Sequence, residues 1–172
     1  YPWESPRPWE SPFVIPLAAT RGTGGVSQGY GLISAPDVYT KLSDNNLRQF
    51  FLKYNLGKLL NYKGIQEGIE NTNYSIETDV GKFILTVYEK RVEEKDLPFF
   101  MGLMKNLFDA NFPSPEPIIN KNGNYITEIS KKKAAVVSFL DGAIKKNLTP
   151  SNCMEVGIQA AKLHEITKNL KG

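Results

Sequence analysis

Two stretches, Thr72 to Thr78 and Lys82 to Glu89, constrain this 172-residue chain more than any others. In the first, Tyr74 and Ile76 alternate with polar neighbours. In the second, Phe83, Leu85 and Val87 fall on one face and Ile84, Thr86 and Tyr88 on the other, the period of an extended strand. Asp79-Val80-Gly81 makes a tight turn between them, so the pair must run antiparallel. A third run, Leu59 to Ile65, precedes them, with Gly64 and Gly68 in the connection. Tight turns of this kind imply an antiparallel sheet with helices to one side.

The flanking segments supply those helices. Ser43 or Asp44 can cap a helix whose apolar positions are Leu47, Phe50, Phe51 and Tyr54, with Gly57 as its stop signal. A second helix is expected from about Asp96, its cap, to Asn111. It is so rich in large apolar side chains that it must be covered on more than one side. Short strands follow at Pro117 to Ile119 and Tyr125 to Ile129, joined by an Asn122-Gly123 hairpin signal. The apolar run Ala134 to Leu140 ends at Asp141-Gly142, and Pro150 opens a last helix that runs to about Thr167. The order is α-β-β-β-α-β-β-β-α. The fold class is α+β, an antiparallel sheet of about five strands with helices packed on it.

Residues 1–36 read differently. Pro2-Trp3-Glu4-Ser5-Pro6 recurs as Pro8-Trp9-Glu10-Ser11-Pro12, and a glycine-rich stretch follows. This segment is expected to be a flexible extension rather than part of the fold.

Charge and composition exclude several functions. Lys plus Arg is 21 against 18 for Asp plus Glu, and a net charge of +3 is too small to mark a nucleic-acid or polybasic membrane binder. Cys153 is the single cysteine, so no intrachain disulfide can form, and it reads as inert and partly buried. His164 is the single histidine, and with Cys153 it is too few for a zinc site; it reads as a half-buried helix residue. No apolar run reaches the ~18 residues of a membrane span, and the start lacks a signal-peptide core. The cytoplasm is the default address.

Four segments carry possible chemistry. Gly64-Ile-Gln-Glu-Gly68-Ile-Glu-Asn71-Thr-Asn73-Tyr74 is either an ordinary hairpin loop or a turn whose backbone approaches phosphate oxygens. It is neither a Walker A loop nor a dinucleotide fingerprint. The run ending at Ser138, Phe139 and Leu140 is a core strand, or a strand leading to a hinge whose backbone holds a flat ring. Lys90-Arg91 with Glu93-Glu94 is a solvated turn or a functional Lys–Glu pair. Lys131 to Lys133 reads as solvated.

Glycine loop, third strand, apolar helix and hinge-like strand together give the order of a kinase small lobe. From Val38 onward the chain resembles the first part of bacterial homoserine kinases of the aminoglycoside/choline phosphotransferase type. The likeness is carried by Val38-Tyr39-Thr40, by Gly64 through Tyr74, by Phe83 through Arg91, and by Asp96 through Met104. Pro113-x-Pro115-x-Pro117, Phe139-Leu140-x-Gly142 and Leu163-His164 extend it. The resemblance implies a kinase-like N-terminal lobe over 37–142, then a linker and the first helix of a larger lobe over 143–172. It implies ATP as phosphoryl donor, Mg²⁺ held elsewhere, and L-homoserine as acceptor in a step toward threonine. Another superfamily substrate (choline or an aminoglycoside), or a non-catalytic binding module, are the alternatives. Gly64, Gly68, Asn71 and Asn73 would cradle the phosphates, and the backbone of Ser138, Phe139 and Leu140 would meet the adenine.

Two departures matter. The lysine that kinases carry in the third strand is replaced by Thr86, leaving Lys90 as a weak substitute, with Glu94 or Asp96 as its partner. The family's His-x-Asp catalytic loop and metal-binding Asp are absent, since His164 is followed by Glu165-Ile166. No catalytic or metal-ligating residue is assigned. The expectation is an N-terminal piece that does not catalyse transfer alone and is marginally stable when isolated.

Overall fold

A computed structural model describes residues 40–65, 71–89, 92–142, 145 and 147–170. The 1–36 extension, Gly68 and Lys90 lie outside the described residues. Three α-helices and six strands follow one another as α1 Asp44–Phe51, β1 Leu59–Ile65, β2 Asn71–Thr78, β3 Gly81–Tyr88, α2 Leu97–Asp109, β4 Pro117–Ile118, β5 Ile126–Ile129, β6 Lys132–Ser138 and α3 Pro150–Thr167.

The first hairpins form as the alternation requires. β1, β2 and β3 pair antiparallel in sequence order, and β3 then pairs with β6. The register of β3 is fixed on both sides: Leu85 faces Tyr74 and Val136, and Thr86 faces Asn73 and Ala135. The Asn122-Gly123 turn is present, with Gly123 at φ +79° and Asn120 Oδ1 accepting from the Asn122 and Asn124 amides. It does not pair its flanking strands. β4 and β5 instead pair with successive parts of β6, Ile118 facing Val136 and Ile126 facing Ala135. The sheet therefore has six strands, the sixth being the two residues of β4.

α1 is shorter than its apolar spacing suggests. Ser43 caps it, its hydroxyl accepting from the Asn46 amide, but the helix ends at Phe51. Tyr54 lies beyond it and is still buried, its hydroxyl bonded to Thr127 Oγ1 at 2.8 Å. Gly57 is not the stop residue. It sits at φ +71°, where a Cβ would lie 1.9 Å from Asp79 Oδ1, the oxygen that accepts from the Lys58 amide. Its role is to let the β2–β3 turn dock against the entry to β1.

One cluster of buried side chains forms the core on the α1 side of the sheet. Leu47, Phe50, Phe51 and Tyr54 pack with Tyr74, Ile76, Leu85, Val87, Ala134 and Val136 into one core. The buried residues of α2, Leu97, Met101 and Leu107, stand outside that cluster. α2 enters through a 3-10 turn at Glu94–Asp96, and Asp96 makes no side-chain cap. α3 is capped as its sequence indicates, by reciprocal Thr149 and Asn152 hydrogen bonds with Pro150 in the first turn. Cys153 and His164 are exposed on α3, which corrects the partly buried placement.

Replacing Phe50, 2% exposed at the centre of the α1 core, by Ala should cost about 3–5 kcal/mol by transfer plus cavity. Leu52→Ala, at a side chain 63% exposed, should stay within about 0.5 kcal/mol. Urea denaturation of both variants checks this. Equal losses would mean that α1 does not dock as described.

Candidate functional site

The alternation of β3 divides the sheet into two faces. Leu85 and Val87 point into the α1 core. The next residues along, Ile84, Thr86 and Tyr88, point the other way. Cross-strand partners share a face, so this second face carries Asn71, Asn73 and Ser75 from β2 and Ala135 and Val137 from β6. Ala135 is buried and the others are partly buried. The result is a row Asn73–Thr86–Ala135 beside a row Ser75–Ile84–Val137. Toward the hinge the face is apolar, and toward the exit from the β1–β2 connection it is polar.

Both asparagines are oriented. Thr86 Oγ1 donates to Asn73 Oδ1 at 2.9 Å, and the Glu89 amide donates to Asn71 Oδ1 at 3.4 Å. Tyr88 stands opposite Asn71, and burial pushes its phenol up to about 12, so it is neutral across the physiological range. Gly64 does not share this face. It pairs with Tyr74 on the α1 side, and an added Cβ would meet only the Tyr74 ring, at 3.8 Å. The open space at Gly64 therefore lies behind the sheet.

The end of β6 is tied down rather than free. The Ser138 amide donates to the Glu116 carbonyl at 2.9 Å, Ser138 Oγ accepts from the Glu116 amide at 2.8 Å, and the Phe139 amide donates to the Lys82 carbonyl at 3.2 Å. Leu140 follows with an amide that has no partner among the described residues. Of the three expected hinge residues, Leu140 is thus the one whose N–H is available.

A polar network that the sequence did not reveal closes the same end of the sheet from the α1 side. Glu89 Oε1 accepts from Thr40 Oγ1 at 2.6 Å and from Thr72 Oγ1 at 2.8 Å, and Glu89 Oε2 is ion-paired with Lys132. Lys132 Nζ also donates to Thr40 Oγ1 at 2.6 Å, and the Thr40 amide donates to Thr72 Oγ1 at 2.9 Å. Burial would raise the Glu89 carboxyl, but the hydrogen bonds from Lys132, Thr40 and Thr72 and the lysine's charge outweigh it and hold it below its ordinary value. Lys132 is thus ion-paired while its side chain stays 39% exposed, and Lys133, also partly exposed, reaches Glu94 at 3.5 Å and Glu128 at 3.8 Å. Glu94, one expected partner for Lys90, is paired with Lys133.

Among the described residues, no three His, Cys, Asp or Glu side chains gather closely enough to hold a metal ion. A cleft of about 400 Å³ lies between the residues that follow α2 (Ala110 to Pro113) and Gln159, Lys162, Glu165 and Ile166 of α3.

An antiparallel sheet with a hinge-like end to β6 and an apolar helix after β3 is the kinase-like small lobe, and solved structures carry the same arrangement. A spectinomycin phosphotransferase, solved with ADP and spectinomycin, superposes with a TM-score of 0.60 over 77% of this chain and 42% of its own, at 14% identity. The model of the phosphotransferase enzyme family (APH) matches residues 61–172, and the chain belongs to that family. Homoserine kinases are its relatives in sequence. That of Parvibaculum lavamentivorans is 45% identical over 127 residues, and that of Bartonella tribocorum 46% over the same length, each match covering 74% of this chain and 40% of the relative. That of Hyphomonas neptunium is 41% identical over 135 residues, 78% of this chain and 41% of the relative. The chain thus spans about two fifths of the length of the relatives it matches.

The Glu89 network makes stability depend on acid. A carboxyl held below its unfolded-state value stabilises the fold above that value, and the contribution is lost as pH falls through the folded one. The unfolding free energy of the parent should therefore decline below about pH 4.5, and Glu89→Gln should flatten that decline. Denaturation midpoints at graded pH measure it; identical acid limbs would show that Glu89 contributes nothing there.

Proposed function

We propose that this chain is the nucleotide-binding lobe of an ATP-dependent homoserine kinase, which moves the γ-phosphoryl group of ATP to the hydroxyl of L-homoserine. The observation that carries the reading is 41–46% identity to homoserine kinases over three quarters of the chain. The second sheet face fits the donor. Ile84 and Val137 give a flat ring an apolar floor, Ala135 leaves room beside it, and the Leu140 amide can donate to a ring nitrogen. Asn71 and Asn73 lie at the polar end, where the phosphates would reach. Gly68 and Lys90 are carried as further phosphate contacts on the resemblance alone. Gly64 enters only through its backbone, because its vacant side faces Tyr74.

Phosphoryl transfer needs Mg²⁺ to neutralise charge and a base for the acceptor hydroxyl. The described residues supply no cluster suited to the metal, so no step is assigned to it here. This lobe's part is to bind and orient the nucleotide. No helix among the described residues is long and apolar enough to cross a membrane, and a cytoplasmic address accompanies the reading.

Titrating the purified chain with ADP tests the first half. Leu140→Pro removes the free N–H and should weaken binding about tenfold, the scale of one lost hydrogen bond with its partner left unsatisfied. Assaying the protein that carries this chain with ATP and L-homoserine, choline or spectinomycin tests the second. Phosphate should appear on homoserine. Turnover on choline or spectinomycin without homoserine would replace the proposed acceptor.

A further inference from the structure

The Asn71 and Asn73 carboxamides can each present either an oxygen or an NH₂ group, and only the NH₂ end attracts a phosphate. In both, the oxygen is already taken by a donor from the neighbouring strand end. A backbone N–H can only donate, so the Glu89 amide fixes Asn71 with Oδ1 turned toward β3. For Asn73 the partner is the Thr86 hydroxyl, which can donate or accept; here Thr86 Oγ1 donates to Asn73 Oδ1 at 2.9 Å. What remains to face a ligand is a pair of NH₂ groups two residues apart on one face of β2.

Glu89 is itself held in place. Its side chain is 13% exposed and takes part in the ring formed with Thr40, Thr72 and Lys132. That ring sits behind the sheet and fixes the start of the segment after β3, and so the amide that grips Asn71. Thr86 stands at the middle of β3, opposite Asn73 and Ala135. Here it contributes no charge and instead aims a neutral donor.

We propose that Thr86 and Glu89 are positioning residues that turn the NH₂ groups of Asn73 and Asn71 toward the phosphates of the bound nucleotide, with Lys132 as the anchor of Glu89. This rests on the nucleotide-binding reading above. It assigns the phosphate subsite neutral directional donors at the third-strand position.

The test compares ADP with adenosine, which lacks the phosphates, by calorimetry on the purified chain. Thr86→Val keeps the shape and removes the hydroxyl. It should weaken ADP binding about tenfold, the scale of one hydrogen bond to a charged group, and leave adenosine unchanged. Thr86→Ser should restore ADP affinity. Asn73→Ala should show the same loss, and Thr86→Val added to it should cost nothing more, because the two act as one unit. Glu89→Gln and Lys132→Met should weaken ADP selectively. Should either fail to fold, the Thr86 and Asn73 variants decide alone, since neither residue belongs to the α1 core. If the parent binds ADP while Thr86→Val leaves its affinity intact, or weakens ADP and adenosine equally, the positioning role is overturned and the nucleotide reading stands. A parent that binds neither overturns both.

Discussion

Strand β3 can occupy only one register, and the rest of the lobe follows from it. Leu85 and Val87 are fully buried against the α1 core. A slip of one residue would put Thr86 and Tyr88 there and turn both aliphatic side chains outward. Burying an unpaired Thr hydroxyl costs on the order of 1–3 kcal/mol, and exposing two large aliphatic side chains adds a similar amount for each. With β2 on one side and β6 on the other, β3 imposes the same division on its neighbours. The sheet therefore carries an apolar face under α1 and a partly polar face available to a ligand.

That division needs closing where the strands end, because strand termini leave polar groups without ladder partners. At the loop end, Glu89 and Lys132 leave their strands on the α1 side, and Thr40 and Thr72 complete a ring in which each hydroxyl both donates and accepts. Tyr74 continues the closure, its hydroxyl donating to the Thr40 carbonyl at 2.8 Å and accepting from the Leu42 amide at 3.0 Å. The bonds made by Thr40 and Leu42 join residues 32 to 92 positions apart and tie the segment before α1 to the sheet. At the hinge end, Ser138 and Phe139 are held by Glu116 and Lys82. Both ends of the sheet face turned away from α1 are thus secured from behind, and the face itself stays partly exposed.

Elements governed by short-range rules were legible in the sequence. β1 was bounded at Leu59 and Ile65, the β2–β3 turn fell at Asp79-Val80-Gly81, and Thr149-Pro150 opened α3, because alternation, turn chemistry and capping are local. Elements set by tertiary contacts were not. Tyr54 has helical spacing, yet its hydroxyl is drawn to Thr127, 73 residues away, and it sits beyond the helix. Asn122-Gly123 marks a turn, but nothing local says that both flanking strands will choose β6 over each other. Of the residues expected to meet a nucleotide, Asn71 and Asn73 lie on the face of β2 that pairs with Tyr88 and Thr86, and Leu140 follows the end of β6. Lys132 was hidden in a run of three lysines whose composition signals a solvated turn, and only the fold brings Glu89 to it. Pairing places the open side of Gly64 against Tyr74, a placement that a glycine-bearing loop motif alone does not reveal.

Thr86 on the partly buried face of β3 and the apolar character of α2 answer to one electrostatic constraint. A lysine on the partly buried ligand face would lose hydration and would need a carboxylate nearby to remain charged. α2, Leu97–Asp109, carries no acidic side chain before Asp109, which is ion-paired with Lys105, and Glu94 before the helix is engaged by Lys133. A lone ammonium at position 86 would then face an uncompensated desolvation cost. A hydroxyl that donates to Asn73 faces none, because its hydrogen-bonding capacity is met within the sheet. Polarity on that face is therefore carried by hydrogen-bonded hydroxyl and amide groups, and α2 is built largely from Leu, Phe and Met.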